Sequence, residues 1–175
     1  MVIDEAYVDF GAESAVSLIG KYSNLLVTGT FSKSRSLAGA RLGFGIASPE
    51  IIRDLNTIKY STNPYNVNRM TAVAGYQALV DNDYYMNNCK TVMATRERVK
   101  NALRDRGFRV LDSKANFLFA ESSRIPGGVL YRKLKEKGIL VRHFDKPRLE
   151  NRLRITVGSD RQMDALLTAL RELGA

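Results

Sequence analysis

The chain has 175 residues, 45% of them hydrophobic, which is enough for one domain of ordinary size or two small ones. Its net charge is +9, but 27 basic residues are interleaved with 18 acidic ones and form no basic tail, so we expect no nucleic-acid partner. A single cysteine excludes an intrachain disulfide, a single histidine argues against a metal site, and no apolar run reaches membrane-spanning length, so we expect a cytoplasmic protein that binds neither a metal nor a membrane.

The first thirty residues have the length and pattern of a strand, helix, strand unit. Residues 2–8 predict a buried strand, residues 12–20 have the apolar spacing of a helix, and residues 24–31 predict a second strand. The strands of such a unit are parallel, and ligands bind where parallel strands end. We therefore expect Asp4 and Lys33, which follow the two strands, to face one crevice.

The segment that follows the second strand has the residue types of an imine-forming site beside a phosphate. Lys33 can form a Schiff base only as the neutral amine, which desolvation and nearby positive charge favour, and Arg35 and Arg41 can supply that charge. The hydroxyls of Ser32 and Ser34 and the guanidinium of Arg41 are donors that hold a phosphate. The alternative is a polar turn whose lysine points into water.

Further elements of the N-terminal half follow from apolar spacing and turn residues. The pattern predicts a strand over 42–47, a helix over 49–59, a loop over 60–68 with Asn66 or Asn68 as a cap, and helices over 69–80 and 84–106. The first of these helices has an apolar stripe that we expect in the core, formed by Ile51, Ile52, Leu55 and Ile58. The last has a charged face that we expect to be solvated, formed by Lys90, Arg96, Glu97, Arg98, Lys100 and Arg104.

The C-terminal half reads as a compact α/β layer pair. The pattern predicts strands over 108–111, 116–120, 138–142 and 152–157 and helices over 128–137 and 160–173. We place the domain boundary near residue 81. Arg154 lies on the last apolar strand, and burying an unpaired charge is unfavourable, so this arginine needs an anion.

Five motifs occur in an order that resembles one enzyme family. They are D-E-A-Y at 4–7, S-K-x-x-x-L-A-G-x-R at 32–41, P-Y-N-V-N at 64–68, A-N-F at 115–117 and L-R-I-T-V-G at 153–158. This pattern resembles the fold-type I pyridoxal-phosphate (PLP) aminotransferases, most closely the histidinol-phosphate aminotransferase family, over residues 2 to 172. The resemblance implies an α/β fold, with the C-terminal half of the large PLP-binding domain in residues 1–80 and a linker helix and small C-terminal domain in residues 81–175.

The resemblance also implies roles for individual residues. Lys33 would be the catalytic residue that carries pyridoxal 5'-phosphate, Asp4 would pair with the pyridinium nitrogen, and Tyr7 would hydrogen-bond the phenolic oxygen of the cofactor. Ser32 and Arg41 would hold the phosphate.

The C-terminal half would bind the substrate. In the family, the arginine matching Arg154 binds the α-carboxylate, and Asn116 and Arg142 match positions near the substrate, with a structural salt bridge as the alternative for each. The segment 64–68 matches one near the cofactor and subunit interface, or is only a helix-entry turn. The partners implied are an amino donor, a 2-oxo acid and a second copy of the chain in a homodimer.

Members of this family are longer than this chain, and their N-terminal half carries the Gly-rich phosphate turn and an aromatic residue stacked on the cofactor. We therefore expect a C-terminal portion of an aminotransferase whose cofactor binding is weak or absent in isolation. The sequence does not distinguish histidinol phosphate from other amino donors. The alternatives are another fold-type I enzyme, such as an aromatic aminotransferase or an amino-acid-phosphate decarboxylase, and a non-catalytic fragment that acts as an interaction module.

Overall fold

The computed structural model describes all residues from Met1 to Ala175. The chain divides into two compact units, Met1–Cys89 (unit 1) and Lys90–Ala175 (unit 2), each of which is described separately. Their boundary falls inside a long helix, whereas the boundary expected near residue 81 marks the break before that helix begins. The assignment of residues 1–80 to a PLP-binding domain stays a prediction.

Unit 1 contains a three-stranded sheet in the order β1 (Val2–Asp4), β2 (Leu26–Thr30) and β3 (Gly43–Ala47). Strands β1 and β2 are parallel, with Asp4 opposite Thr28, and β3 is antiparallel to β2. The predicted parallel pair is confirmed. Asp4 ends its strand at the same edge of the sheet from which the chain continues to Lys33.

The connection between β1 and β2 differs from the prediction of a helix over 12–20. It contains only two 3₁₀ turns, over Val8–Phe10 and Ala15–Leu18. The Glu5 side chain binds this segment, since its carboxylate accepts hydrogen bonds from the Ala15 N–H at 2.6 Å and the Ser14 hydroxyl at 2.8 Å. Hydrogen bonds between side chains and the backbone compete with helix formation. β1 is also shorter than predicted, since the Asp4 carboxylate accepts from the Ala6 N–H and turns the chain.

Two helices complete unit 1, α1 (Pro49–Thr62) and α2 (Arg69–Val80). The bounds predicted for α2 are confirmed, and Asn68 is its cap, because its side-chain oxygen accepts from the Thr71 N–H at 2.8 Å. The predicted burial of the apolar stripe of α1 is wrong. Leu55 and Ile58 are 40% and 60% exposed, since the three strands of this unit do not cover them.

The stripe belongs to a larger exposed apolar surface of unit 1. Its members are large side chains on β3, α1, the following loop and α2, namely Phe44, Ile46, Leu55, Ile58, Tyr65, Met70, Val73, Tyr76 and Leu79. Large apolar side chains exposed in this number are unusual on an isolated soluble protein, and they are typical of a surface that contacts further protein.

Unit 2 contains an antiparallel four-stranded sheet packed with helices. The long helix α3 (Asn82–Arg104) leads into it, and the sheet has the order β4 (Arg109–Val110), β5 (Phe117–Glu121), β7 (Arg152–Thr156) and β6 (Arg142–His143). The helices α4 (Gly127–Glu136) and α5 (Asp160–Glu172) follow β5 and β7. The strand predicted over 138–142 is wrong except at its last residue, because Gly138 adopts a left-handed turn after α4 and strand pairing begins only at Arg142.

The core of unit 2 is formed by one apolar face of the sheet and the facing helices. Its largest fully buried side chains are Leu103, Leu118, Leu130, Leu134, Leu153, Leu166 and Leu170. Leu118 and Leu153 alternate with half-buried residues along β5 and β7, as expected when a sheet buries one face. None of the helices is both long and apolar enough to cross a membrane.

Replacing a core leucine of unit 2 tests this packing. Leu118 has no exposed surface, so Leu118→Ala should lower the free energy of unfolding by about 2–5 kcal/mol through lost burial and a residual cavity. Leu140→Ala is the matched control, because Leu140 is 79% exposed and its loss should change stability by less than about 0.5 kcal/mol. Urea denaturation followed by circular dichroism measures both. Equal losses would contradict the placement of the core.

Candidate functional site

A cleft lies at the carboxyl ends of β1 and β2, as the sequence predicts. Asp4, Ser32 and Arg41 line this cleft of about 320 Å³, together with Thr28, Gly29, Thr30 and Gly43. The two glycines bring the backbones of β2 and β3 close together, since a side chain at Gly43 would lie 2.9 Å from the Gly29 carbonyl oxygen. The structure thus brings three of the five proposed cofactor-binding residues to one place.

Tyr7 and Lys33 do not line that cleft and instead contact each other. The Lys33 Nζ lies 5.6 Å from the centre of the Tyr7 ring, which is within the range of a cation–π contact. Lys33 is exposed and Tyr7 is half-buried. The phenol and the amine that the family resemblance pairs at the cofactor are therefore neighbours in the structure.

The polar groups of the cleft carry few internal contacts. One Asp4 carboxylate oxygen accepts a hydrogen bond from the Ala6 N–H at 3.0 Å. The Ser32 hydroxyl lies 2.8 Å from that of Thr30, and Arg41 donates from Nη1 to the Ala38 carbonyl at 2.9 Å. Arg41 adopts a left-handed backbone conformation with φ of 56°, which few residues other than glycine adopt. A carboxylate, hydroxyls and a guanidinium converge here, and they are suited to a ligand with both a cationic ring nitrogen and a phosphate.

The turn that carries Lys33 is fastened on both sides. Ser34 is buried and donates its hydroxyl hydrogen bond to the Asp9 carboxylate. Arg35 donates to the Ala78 carbonyl at 3.0 Å and to the Asn82 side chain at 2.9 Å. Arg35 therefore anchors the turn to α2 and the start of α3, and this contact was not expected from the sequence, which suggested only a charge beside Lys33.

Cys89 is buried on α3. Burial is the main cause that raises the pKa of its thiol above the ordinary value of 9.0, and the nearby Asp9 carboxylate raises it further, while Arg35 opposes this. The thiolate is the nucleophile, so the thiol is unreactive near neutral pH.

The reactivity of Cys89 is a direct test of this burial. Alkylation by iodoacetamide near neutral pH should be at least about tenfold slower in the folded chain than in urea, where the thiol is exposed and its pKa returns to the ordinary range. Mass spectrometry gives an unambiguous signal because the chain has one cysteine. Equal rates in the two states would show that the thiol is accessible.

A second cleft, in unit 2, contains Arg154. This open cleft of about 550 Å³ is lined by Arg154, by the loop residues 111–115, and by apolar side chains, namely Phe117, Phe119, Phe144 and Leu149. The Nε of Arg154 is buried and has no hydrogen-bond partner. The guanidinium lies 5.3 Å from the centre of the Phe117 ring. Since buried polar groups are almost always hydrogen-bonded, this atom points to a ligand that the protein itself does not supply.

The other two proposed substrate residues lie beside Arg154 without sharing its contacts. Arg142 is directly opposite Arg154 in the β6–β7 pairing, is exposed, and stacks 5.5 Å from the Phe144 ring. Asn116 is half-buried between two lining residues, and its backbone carbonyl accepts from the Val157 N–H at 2.9 Å. Its side chain is not part of the cleft wall. Arg154 forms no salt bridge within the chain, whereas Arg109 and Arg152 both pair with Glu121.

The loop that forms one wall of this cleft is held by three cations of α3. Arg96 donates from Nη1 to the Ala115 carbonyl at 2.9 Å, Lys100 lies 3.2 Å from the Asp112 carboxylate, and Arg104 donates to the Val110 carbonyl at 2.9 Å and to Asp112 at 3.1 Å. The expectation of a fully solvated charged face is wrong here, since Arg96 is only 6% exposed. Spacing by four residues was the signal that could have shown these cations to share one face.

These contacts shift the pKa values of the groups involved. Hydrogen bonding from Lys100, and then from Arg104, lowers the pKa of Asp112 below its ordinary 3.8. The hydrogen bond with Glu97 is the main cause that raises the pKa of Lys100; burial opposes it, and the hydrogen bond with Asp112 raises the pKa further. The ionised form of Asp112 is the one that the folded chain stabilises.

The loop should therefore loosen at acid pH. Because the pKa of Asp112 is lowered on folding, its contact contributes fully above the ordinary carboxylate range and is lost as the pH falls through the lowered value. Amide NMR shifts of residues 110–116, recorded from neutral pH to about pH 2, should report this titration. Asp112→Asn is the matched control, because it cannot titrate, and an unchanged titration in that variant would contradict the assignment.

Comparison with known proteins identifies the family of this chain. The family model of class I and II aminotransferases matches residues 1–170. The histidinol-phosphate aminotransferase of Brachyspira hyodysenteriae is 49% identical over 172 residues, which make up 98% of this chain and 49% of that protein.

Solved structures of other relatives also match nearly the whole length of the chain. The histidinol-phosphate aminotransferase of Clostridium acetobutylicum matches with a TM-score of 0.89 at 27% identity, over 99% of this chain and 53% of the other. That of Sinorhizobium meliloti in complex with pyridoxal-5'-phosphate matches with a TM-score of 0.82 at 27% identity, over 99% and 48%. The chain spans about half the length of the curated relatives it matches. By its sequence and its α/β fold, the chain belongs to the class I and II aminotransferases, a family whose cofactor is pyridoxal phosphate.

Proposed function

We propose that this chain is the C-terminal portion of a PLP-dependent aminotransferase that transfers the amino group of histidinol phosphate to 2-oxoglutarate, in histidine biosynthesis. The observation that carries the proposal is the cleft at the ends of the parallel strands, where Asp4, Ser32 and Arg41 converge beside the segment of Lys33. The identity of the substrate rests on the similarity to histidinol-phosphate aminotransferases.

Asp4, Ser32 and Arg41 of the first cleft, together with Tyr7 outside it, fit the cofactor by their chemistry. The Asp4 carboxylate has the charge to hold a protonated pyridine nitrogen, and the Tyr7 hydroxyl is suited to the phenolic oxygen. The Ser32 hydroxyl and the Arg41 guanidinium are donors for the phosphate. When bound, PLP supplies an electron-withdrawing ring that stabilises negative charge at the substrate Cα.

Lys33 has two roles in this proposal. Its Nζ would hold the cofactor before the substrate arrives, and once displaced it would act as the general base for the proton on the substrate Cα. The nearby Tyr7 ring limits the positions that the flexible side chain can take, because the ammonium form is attracted to the ring face. Asp4 keeps the ring nitrogen protonated, and this favours loss of the Cα proton.

Arg154 binds the anionic group of the substrate. The unpartnered Nε and the apolar lining of its cleft favour a carboxylate or phosphate joined to an apolar or aromatic group. A guanidinium binds such anions through two parallel hydrogen bonds, which fixes their orientation. Arg142 lies opposite Arg154 in the β6–β7 pairing and has the charge to meet a second anionic group. Asn116 lies between Ala115 and Phe117, which line the cleft.

The proposal extends to the rest of the functional assembly. The relatives are about twice as long as this chain, so we propose that residues matching their other half complete the cofactor site and cover the exposed apolar surface of unit 1. Cofactor binding by this chain alone is then weak. A homodimer in the cytoplasm, with an amino donor and a 2-oxo acid as the small-molecule partners, follows from the resemblance to the family.

Trapping of PLP tests the role of Lys33. We expect borohydride treatment of the chain with PLP to attach the cofactor to Lys33 at least about fivefold more than to Lys21. Lys21 is a matched internal control, since it is also exposed and lies 5.3 Å from the ring of Tyr22. Peptide mass spectrometry locates the label, and Asp4→Ala should reduce the preference. Equal labelling of the two lysines would contradict a preformed site.

The choice of amino donor is tested in a chimaera that joins this chain to the N-terminal half of the Brachyspira hyodysenteriae relative. We expect kcat/KM for histidinol phosphate to exceed that for histidinol by about 100-fold or more, because the phosphate adds charge-assisted hydrogen bonds. The Lys33→Ala chimaera should be inactive. A preference for phosphate-free aromatic amino acids would support an aromatic aminotransferase, and release of CO₂ a decarboxylase.

A further inference from the structure

The three cations of α3 that hold the cleft loop have no part in the function proposed above. Arg96, Lys100 and Arg104 follow one another at intervals of four residues, so they lie along one face of the helix. Their contacts run along the loop in the opposite direction, from Ala115 through Asp112 to Val110. The helix therefore grips the loop at three successive points.

The loop itself has little structure of its own. Between Val110 and Phe117 it is stabilised by the Ser113 hydroxyl, which donates to the Phe117 carbonyl at 2.6 Å and accepts from the Ala115 N–H at 3.1 Å. Such a short Ser turn fixes the local shape but does not fix the position of the loop relative to the sheet. The two ends of the loop are tied to the sheet, by a hydrogen bond from the Leu111 N–H to the Phe119 carbonyl at 3.1 Å and one from the Val157 N–H to the Asn116 carbonyl at 2.9 Å. Between these ends, the contacts with α3 position the loop.

Arg96 makes the most consequential of these contacts. Its side chain is 7% exposed, and its Nη1 donates to the Ala115 carbonyl. Ala115 lines the Arg154 cleft, and the next residue is Asn116. A buried, charged donor binding a backbone carbonyl is a strong and directional contact, because the interior screens it weakly.

We propose that Arg96 is a positioning residue for the anion-binding cleft of Arg154. It holds the Ala115 carbonyl and thereby fixes the wall of the cleft and the backbone of Asn116, while Lys100 fastens the other end of the loop through Asp112. This inference rests on the proposed role of Arg154 as the anion-binding residue.

A pair of arginines on the same helix provides the test. Arg98 is two residues from Arg96, but it pairs with Asp160 and Asp164 of α5 and does not touch the loop. Arg96→Met and Arg98→Met remove the same charge and a comparable side chain. Only the first removes a contact with the cleft wall.

The probe is 3-phenylpropanoate, whose carboxylate suits Arg154 and whose ring suits the three phenylalanines of the cleft. Binding to the full chain is followed by the amide NMR shifts of residues 115–117. We expect Arg96→Met to weaken binding by about fivefold or more, and Arg98→Met to leave it within about twofold, although both lower the melting temperature. Arg96→Lys, which keeps a charged donor, should recover most of the affinity.

The outcomes separate this inference from the proposed function. If the chain does not bind the probe, or if Arg154→Met binds it equally well, the anion-binding role of Arg154 fails and the inference fails with it. If binding depends on Arg154 but is unchanged in Arg96→Met, or falls equally in Arg98→Met, only the positioning role of Arg96 is overturned.

If Arg96→Met does not fold, a second variant tests whether α3 positions the loop. Lys100→Met removes the contacts with Asp112 and Glu97, whose carboxylates are both exposed to solvent, so the fold should be retained. We expect amide exchange at residues 112–116 to become at least about threefold faster and probe binding to weaken. Unchanged exchange together with unchanged affinity would overturn the inference that α3 positions this loop.

Discussion

The parallel pairing of β1 with β2 is the constraint on which the candidate cofactor site depends. It sets Asp4 opposite Thr28, so the chain leaves both strands at one edge of the sheet. The residues that follow the two strands therefore come together at the first cleft. A shift of one residue in the register would send the Asp4 side chain to the other face of the sheet, because side chains alternate along a strand. The few hydrogen bonds of this short pair therefore determine whether the Asp4 carboxylate can meet Ser32 and Arg41, the groups that we propose bind the phosphate.

Much of this arrangement could be predicted from the sequence, because it depends on local patterns. The bounds of α2 follow from Asn68 and the apolar spacing after it, and the parallel pair follows from two apolar runs at the separation of a crossover. The helix expected over 12–20 did not form, since the Glu5 carboxylate binds the chain at Ser14 and Ala15. A contact between residues ten positions apart overrides the local preference, and apolar spacing carries no information about it.

In the candidate site, too, the residues with a local sequence signal were predicted and those that depend on a distant partner were not. Arg154 was identified as a charge on an apolar strand, and its unpartnered Nε supports that interpretation. Arg96 and Arg35 were not identified, because each binds backbone carbonyls that no sequence pattern marks as acceptors. A charged residue on an amphipathic helix resembles a solvated residue until its partner is known. Residues that support a site are for this reason harder to find from sequence than residues that form it.

The left-handed backbone of Arg41 affects which substitutions can stabilise this chain. A residue other than glycine in that conformation is destabilised by about 1 kcal/mol, and glycine would relieve the strain. Glycine, however, has no guanidinium to offer the cleft. Selection for stability and selection for anion binding thus oppose each other at one position. Stabilising substitutions have to arise elsewhere in the chain, and variants found by screening for thermostability alone would tend to lose the arginine.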